Sequence, residues 1–521
     1  MSNHIHLNGG SMIQIKNLTI EHRTDLRIIL DAFNLVLNDG DKAVIIGEEG
    51  NGKSTLLRWL YDPSMAETYA ICHGERIIGN EKLGYLPQEL PAGDWDKTIY
   101  EFFAESMFFY DQTPRELSEM AAKFSVSSEF FYGDQLMKTL SGGEKVKAQL
   151  MRLLMDKPTV LLLDEPSNDI DIATLELLEE LINSWEHVVL FISHDETLIE
   201  HTANVIIHLE QIQRKTRSRY SVVHDSYANY IQRRSDAFDR QEQQASNDRK
   251  EKKLRDEKYA RVYNSVQHAQ ATVSRQDPSV AKNLKDKMHT VKAMGRRFER
   301  GDENMTEMPE QESAIFFKLG EESAELAAGK KVIEFTLDEL KTPDGANVLA
   351  KNIYLHIQGP EKICIVGANG AGKTTLLKLI AAELLERQDI RAQYMPQNYE
   401  DLLDPDMTPV EYLDETGDKA ERTRIRTYLG SLKYTPEEMD HPIRELSGGQ
   451  KAKVLLLKMS LSDANVLILD EPTRNFSPLS GPVIRKLIAN FPGAVISISH
   501  DRKYIEEVCD KILTLTEEGL T

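Results

Sequence analysis

Two short stretches carry the plainest chemistry. Residues 47–54 read GEEGNGKS and residues 367–374 read GANGAGKT, and both satisfy G-x-x-x-x-G-K-[ST]. Glycines in this pattern turn successive backbone N–H groups toward one anion, and a helix that starts at the lysine adds positive potential. Lys53 and Lys373 then reach the β- and γ-phosphates of a nucleoside triphosphate, while Ser54 and Thr374 coordinate its Mg²⁺. Gly47, Gly50, Asn51, Gly52 and Thr55 complete the first cradle; Gly367, Asn369, Gly370, Gly372 and Thr375 complete the second. Glu48 and Glu49 sit where carboxylates would repel phosphate, so both side chains are expected to point outward.

Further acids and imidazoles recur in the same order after each loop. Asp164 and Asp470 end apolar runs, where a carboxylate can hold Mg²⁺ or its waters. Glu165 and Glu471 follow directly, placed to polarise an attacking water as general bases. A buried acid pair with no cation beside it would be costly. Gln88 and Gln397 each follow a proline and are read as loop residues that sense the metal and the water. The candidate metal sets are therefore Ser54, Gln88 and Asp164, and Thr374, Gln397 and Asp470. His194 and His500 both stand in the triplet Ser-His-Asp, from which an imidazole can contact the γ-phosphate.

These residues need a scaffold that brings strand ends together. KAVIIG and KICIVG are apolar runs that break at a Gly-rich turn and continue as STLLRWL and TTLLKLIAAELL, a strand–loop–helix pattern. TVLLLDEP, HVVLFISH, NVLILDEP and GAVISISH read as buried strands with polar residues at their carboxyl ends, where α/β sheets place ligands. Five phrases occur twice in one order: the Gly-rich loop, YLPQ or YMPQ, LSGGE or LSGGQ, LLLDEP or LILDEP, and SHD. The chain is thus a tandem duplication. Its expected organisation is an α/β repeat over 12–225, a linker over 226–318 and a second repeat over 319–521. Residues 1–11 read as a leader outside the fold.

The rest of the composition mainly excludes. No apolar run approaches the roughly 18 residues of a membrane helix, and the N-terminus lacks the layout of a secretory signal. Cys72, Cys364 and Cys509 form neither a disulfide framework nor a CxxC pattern and suit a reducing cytoplasm. Net charge is −21, the wrong sign for a nucleic-acid binder taken whole. Residues 232–300, however, hold roughly 18 Lys and Arg against 10 Asp and Glu, a local excess of about +8.

That basic segment reads as two helices. Residues 226–276 contain no Gly or Pro and are strongly charged; after QDPS the pattern resumes as VAKNLKDKMHTVKAMGRRFER. Tyr259, Val262, Val266, Ala269 and Val273 follow alternating steps of three and four, as do Leu284, Met288 and Val291, which predicts a coiled-coil seam. At ~1.5 Å per residue the first helix would span ~70 Å and carry a hairpin end at 275–279. A solvated spacer is one reading of such charge. The other is a probe for phosphate backbone in structured RNA, with Lys282, Lys285, Lys287, Lys292, Arg296 and Arg297 as contacts.

The motif set of P-loop, glutamine loop, LSGG signature, Asp-Glu pair and SHD resembles that of ABC ATPase cassettes, over roughly 400 residues. The resemblance implies two cassettes paired head to tail, with ATP and Mg²⁺ between one P-loop and the opposite signature. No dimer partner would then be required. Site one would use Lys53, Ser54, Gln88, Asp164, Glu165 and His194, closed by Ser447, Gly448 and Gly449. Site two would use Lys373, Thr374, Gln397, Asp470, Glu471 and His500, closed by Ser141, Gly142 and Gly143. Beyond the Asp-Glu pair the copies diverge. Asp171 matches the family's cross-dimer aspartate, whereas Ser477 stands at that place in the second copy. Unequal coupling of the two sites is therefore expected. His22 is a weak candidate for stacking on adenine; none is assigned in the second cassette.

Tandem cassettes with a charged helical linker resemble the ABC-F family. That resemblance implies a cytoplasmic ATPase partnered with the ribosome, through rRNA and P-site tRNA, with its linker extended toward the peptidyl-transferase region. It acts there as a translation factor or as an antibiotic-resistance determinant. No additional arm between Gln88 and Ser141, and no tail after the second cassette, is expected. The alternative is the ATPase subunit of a transporter with a separate membrane partner, which would have no use for a basic hairpin. An iron–sulfur recycling ATPase is excluded by the missing cysteine cluster.

Overall fold

The computed structural model describes residues 12–24, 26–168, 170–212, 217–272, 278–302, 305–306, 319, 326–342, 345 and 347–521. Residues 1–11, read as a leader, Val273 and residues 275–277 of the expected hairpin end lie outside the described residues. The chain divides into two compact units: Met1–Tyr227 with Glu312–Thr521, and Ala228–Gln311.

In the first unit each repeat is built on a six-stranded sheet. The order in the first repeat is Leu83–Leu86, Val160–Asp164, Val189–Ile192, Lys42–Ile46, Val205–Ile212, Arg217–His224. All neighbours are parallel except the last pair. The second repeat repeats this plan with Ala392–Met395, Val466–Asp470, Ala494–Ile498, Lys362–Val366, Lys511–Thr516 and Gly519–Leu520. Val160, Leu161, Leu162 and Leu163 are fully buried, as are Val466, Leu467, Ile468 and Leu469. Strands covered on both faces must be apolar at every position rather than at alternate ones. Each such side chain contributes roughly 1.5–3 kcal/mol of burial.

Parallel pairing sets the functional ends side by side. Asp164 lies opposite Ile192, and Asp470 opposite Ile498, so each Asp-Glu pair emerges next to its Ser-His-Asp triplet. The helices Lys53–Tyr61 and Lys373–Leu385 start at Gly52 and Gly372, whose φ values are +85° and +94°. At Gly52 there is no room for a side chain either: a Cβ there would lie 2.2 Å from Ile29 Cγ2. The signature helices Gly142–Met155 and Gly448–Leu461 are started by reciprocal caps, Ser141 with Glu144 and Ser447 with Gln450.

The second unit is an antiparallel pair of helices, Tyr227–Thr272 and Pro278–Asp302. Arg255 pairs with Asp302 at 2.6 Å, Tyr259 meets Phe298 edge to face, and Gln270 donates to the Leu284 carbonyl at 3.0 Å. Leu284, Met288 and Val291 lie on the covered face as predicted. Val262 does not: it is 48% exposed, and Tyr263 lies half-buried in its place. Alternating steps of three and four only approximate the 3.6-residue turn of a helix, so the covered face passes to the next residue, and the Tyr263 ring lies 5.9 Å from that of Tyr259 on the same helix. Lys282, Lys285, Lys287, Lys292, Arg296 and Arg297 are all exposed.

Candidate functional site

Both Gly-rich loops are folded into cradles, and in each the lysine closes the ring. Lys53 Nζ donates to the carbonyls of Gly47 at 2.8 Å and Glu48 at 3.1 Å. Lys373 does the same with Gly367 at 2.8 Å and Ala368 at 3.0 Å. Neither helix that follows has a side-chain cap at its glycine start. The first-turn N–H groups of both are thus left for an anion. Ser54, Thr55, Thr374 and Thr375 begin those helices.

Past the cradles the two repeats part. In the first, Ser54 Oγ donates to Asp164 Oδ1 at 2.8 Å and Tyr85 donates to Oδ2 at 3.1 Å, with Arg58 at 3.9 Å. In the second, both carboxylate oxygens of Asp470 and the Tyr394 hydroxyl are buried without a formed hydrogen bond. Burial raises the Asp470 carboxyl above its usual range, offset in part by the Thr374 hydroxyl and Lys378. A buried carboxylate with open oxygens beside a hydroxyl is a donor set that fits a hard divalent cation.

The glutamates share a backbone feature and differ in wiring. Glu165 and Glu471 have φ of +50° and +52°, the left-handed region that costs a non-glycine residue energy and recurs at active sites. Each backbone N–H holds the neighbouring strand, at Ile192 and Ile498. Glu165 accepts from Gln88 at 2.9 Å and from Asn168 at 2.5 Å, and its Oε1 lies 3.3 Å from His194 Nε2. Burial pushes its carboxyl up, but His194, Lys53 and Asn168 outweigh burial and hold it down at about 2. Glu471 accepts from the His500 backbone N–H at 3.2 Å, and its Oε1 lies 3.7 Å from His500 Nε2. Burial dominates there and lifts the carboxyl to about 8. Burial, with Lys373 nearby, depresses His500 to about 4, against the pull of Asp171.

The repeats face each other head to tail within the first unit. One gap is a cavity of about 720 Å³ lined by Asn369, Gly370, Gly372, Lys373, Thr374, Thr375, Gln397, Asp470, Glu471 and His500 from one side and by Ser141 and Gly142 from the other. That is the size of a small-molecule site. Thr342 and Leu349 line it as well. A crevice of about 40 Å³ lies beside the reciprocal contact, between Glu48 and Glu49 on one side and Ser447, Gly449, Gln450 and Lys453 on the other.

The outward placement expected for Glu48 and Glu49 is therefore wrong. Glu49 Oε2 accepts from the Gly449 N–H at 2.7 Å, and Glu48 Oε1 lies 3.4 Å from Lys453 Nζ. Repulsion by phosphate was the wrong term to weigh. The opposite helix offers open N–H groups and a cation that attract both carboxylates. The altered stretch after Glu471 also crosses the gap: His194 Nδ1 lies 2.8 Å from the Phe476 carbonyl. Asp171 caps the helix Ile172–Ser184 and pulls on both Lys373 and His500. Ser477 Oγ is 3.1 Å from Ser480 Oγ, in its own repeat. Away from the gaps, Arg485 joins the halves by pairing with buried Glu196 at 2.6 Å. His22 ends its strand with Nδ1 3.1 Å from the Thr24 hydroxyl.

Sequence reasoning missed Tyr85, Arg58 and Asn168 around the first Asp-Glu pair. A signal existed for Asn168: its counterpart is Arg474, a change of type inside an otherwise repeated phrase. Among the described residues no helix is long and apolar enough to cross a membrane.

A family model described as "ABC transporter" matches residues 30–168 and 350–474. The chain is 27% identical to the ribosome protection protein VmlR of Bacillus subtilis (strain 168), covering 98% of this chain and 88% of that protein. It is 26% identical to the energy-dependent translational throttle protein EttA of Haemophilus influenzae, covering 95% and 90%. The solved structure of an archaeal ribosome recycling factor, aABCE1, in complex with the ribosomal stalk protein aP1, has the same fold. Its TM-score is 0.58 at 16% identity, covering 97% of this chain and 89% of that one.

Proposed function

The chain belongs to the ABC ATPase family, in its tandem-cassette ABC-F branch, and from that premise we propose that it is a cytoplasmic ATPase that acts on the ribosome. The observation that carries this reading is an exposed basic hairpin on a chain whose two ATPase cassettes already pair with each other. The names of the two relatives, a ribosome protection protein and a translational throttle protein, point to the same target. We assign the hairpin the role of reaching toward tRNA and the peptidyl-transferase region. Lys282, Lys285, Lys287, Lys292, Arg296 and Arg297 would hold phosphate backbone there.

ATP is the substrate of each site. Lys53 and Lys373 give up carbonyl partners to hold the β- and γ-phosphates, and the uncapped first turns bind the remaining oxygens. Mg²⁺ bound by Ser54, Gln88 and Asp164, or by Thr374, Gln397 and Asp470, supplies charge neutralisation on the β- and γ-oxygens. Glu165 and Glu471 take the proton of the attacking water. Gln88 and Asn168 aim Glu165, and His194 and His500 stand ready for the γ-phosphate. Ser141, Gly142 and Gly143 close site two, and Ser447, Gly448 and Gly449 close site one. Closure around ATP and release on hydrolysis would drive the hairpin between two positions.

Sedimentation tests the reading. Glu165→Gln/Glu471→Gln should bind ATP without turnover and co-sediment with ribosomes at physiological salt only when ATP is present. Absence of ATP-dependent co-sedimentation sinks it. Protection against antibiotics is a second reading, favoured by the likeness to a ribosome protection protein. Drug susceptibility with and without the protein separates it from a role in translation alone.

A further inference from the structure

The two gaps between the cassettes are built alike but filled differently. Gly47 to Ser54 matches Gly367 to Thr374 position for position, so Glu49 stands where the second loop has Asn369. Glu49 spans the gap. Its Oε2 takes the Gly449 N–H at 2.7 Å. A methyl group placed on Gly448 or Gly449 would lie 3.6 or 3.4 Å from its two carboxylate oxygens, so the carboxylate rests on both signature glycines. Glu48 adds Lys453, on the same helix, at 3.4 Å. In the other gap, whose loop carries Asn369, a cavity of about 720 Å³ lies between loop and signature.

A second change accompanies the first. Asp171 sends negative charge across the large gap toward Lys373 and His500. Its counterpart is Ser477, which carries no charge and meets Ser480 instead. The acid missing from the loop opposite site one is present in the P-loop of site one itself. Two departures from internal symmetry thus fall on one gap and complement each other in charge.

We propose that Glu49 is the specificity-determining residue that makes the two ATP sites unequal. Its carboxylate occupies the seat on the Gly448 and Gly449 backbone that the terminal phosphate of a nucleotide in site one would take. This rests on the head-to-tail sites proposed above. Two anions cannot share one set of N–H groups, so a nucleotide enters site one only by displacing Glu49. Its apparent affinity is reduced by the fraction of molecules in which the seat is open. Site two, with Asn369 at that place, fills first.

Binding of a fluorescent ATP analogue with Mg²⁺ to the full chain tests this. Lys373→Ala leaves site one as the only intact cradle, and Lys53→Ala leaves site two. In the Lys373→Ala background, Glu49→Asn should tighten binding on the order of tenfold, the scale of one charge-assisted hydrogen bond. Glu49→Gln, which keeps shape and loses charge, should tighten it less. Neither should change binding in the Lys53→Ala background. Unchanged or weaker binding by Glu49→Asn at site one overturns the proposal, as does an equal gain at both sites. Failure of the underlying reading looks different: the Lys53→Ala/Lys373→Ala chain would still bind two nucleotides.

Discussion

Site one and site two share their residues almost letter for letter, yet they differ in how those residues are held. At site one Glu165, the proposed general base, is tied to Gln88, Asn168 and His194 and held at about 2. Asp164 is bonded by Ser54 and Tyr85, and Glu49 reaches across to the opposite signature. At site two Glu471 is lifted to about 8 by burial, Asp470 has open oxygens, and the gap is wide. Catalytic identity and catalytic state are thus separable. The first resides in residue types, and the second in what packs around them.

The bluntest way to break the comparison removes both bases. Glu165→Gln/Glu471→Gln should lower steady-state phosphate release by roughly 10²–10⁴-fold, the usual worth of a general base. The single variants should differ from each other in residual rate. Equal residual rates would show that the sites are equivalent in turnover.

The next test separates the halves. Arg485 and Glu196 are 3% and 6% exposed and join the two cassettes. Arg485→Ala strands a buried carboxylate and should cost about 3–5 kcal/mol, read as lowered thermal stability. Both sites should lose activity together. If only one does, that pair does not hold the shared interface.

A pH profile sharpens the contrast. A carboxyl raised to about 8 is mostly protonated at neutral pH, so a rate that depends on its ionised form climbs with pH up to that value. Turnover by Glu165→Gln, which retains Glu471, should therefore rise about tenfold from pH 6 to 7 and about fivefold from pH 7 to 8. Turnover by Glu471→Gln should be flat there, because Glu165 is ionised throughout. Identical profiles would contradict the difference in environment.

The smallest effect should come from Asp171→Ser, which copies the residue of the second cassette into the first. Serine still caps a helix, so folding should be preserved. His500 should fall further below its usual range once an acid that raises it is gone. ATPase at site two should change only a few-fold, measured in the Lys53→Ala background. A loss as large as that of Glu471→Gln would make Asp171 part of the chemistry rather than a source of cross-gap charge.

Much of this was legible in the residues. The P-loops, the Asp-Glu pairs and the capped signature helices depend on contacts within a few residues, and local spacing predicts them. The duplication foretold two sheets of one plan. Val262 was misplaced because alternating steps of three and four only approximate the 3.6-residue turn, so the covered face shifts by one residue to Tyr263. Glu49 was misplaced for a similar reason: its partner, Gly449, lies 400 residues away in the chain.

The sequence by itself showed two Gly-rich cradles, each followed by its own acids and histidines in one order, and a basic segment between the two copies. Those features follow from backbone geometry and short-range hydrogen bonding, which a few neighbouring residues specify. Only the tertiary structure decided that Glu49 bonds to the opposite signature while a cavity of about 720 Å³ lies at the other gap, and that two equal glutamates are held at about 8 and about 2. Burial and the groups packed around each glutamate set those two values, and both belong to the folded cassettes rather than to any single stretch of chain.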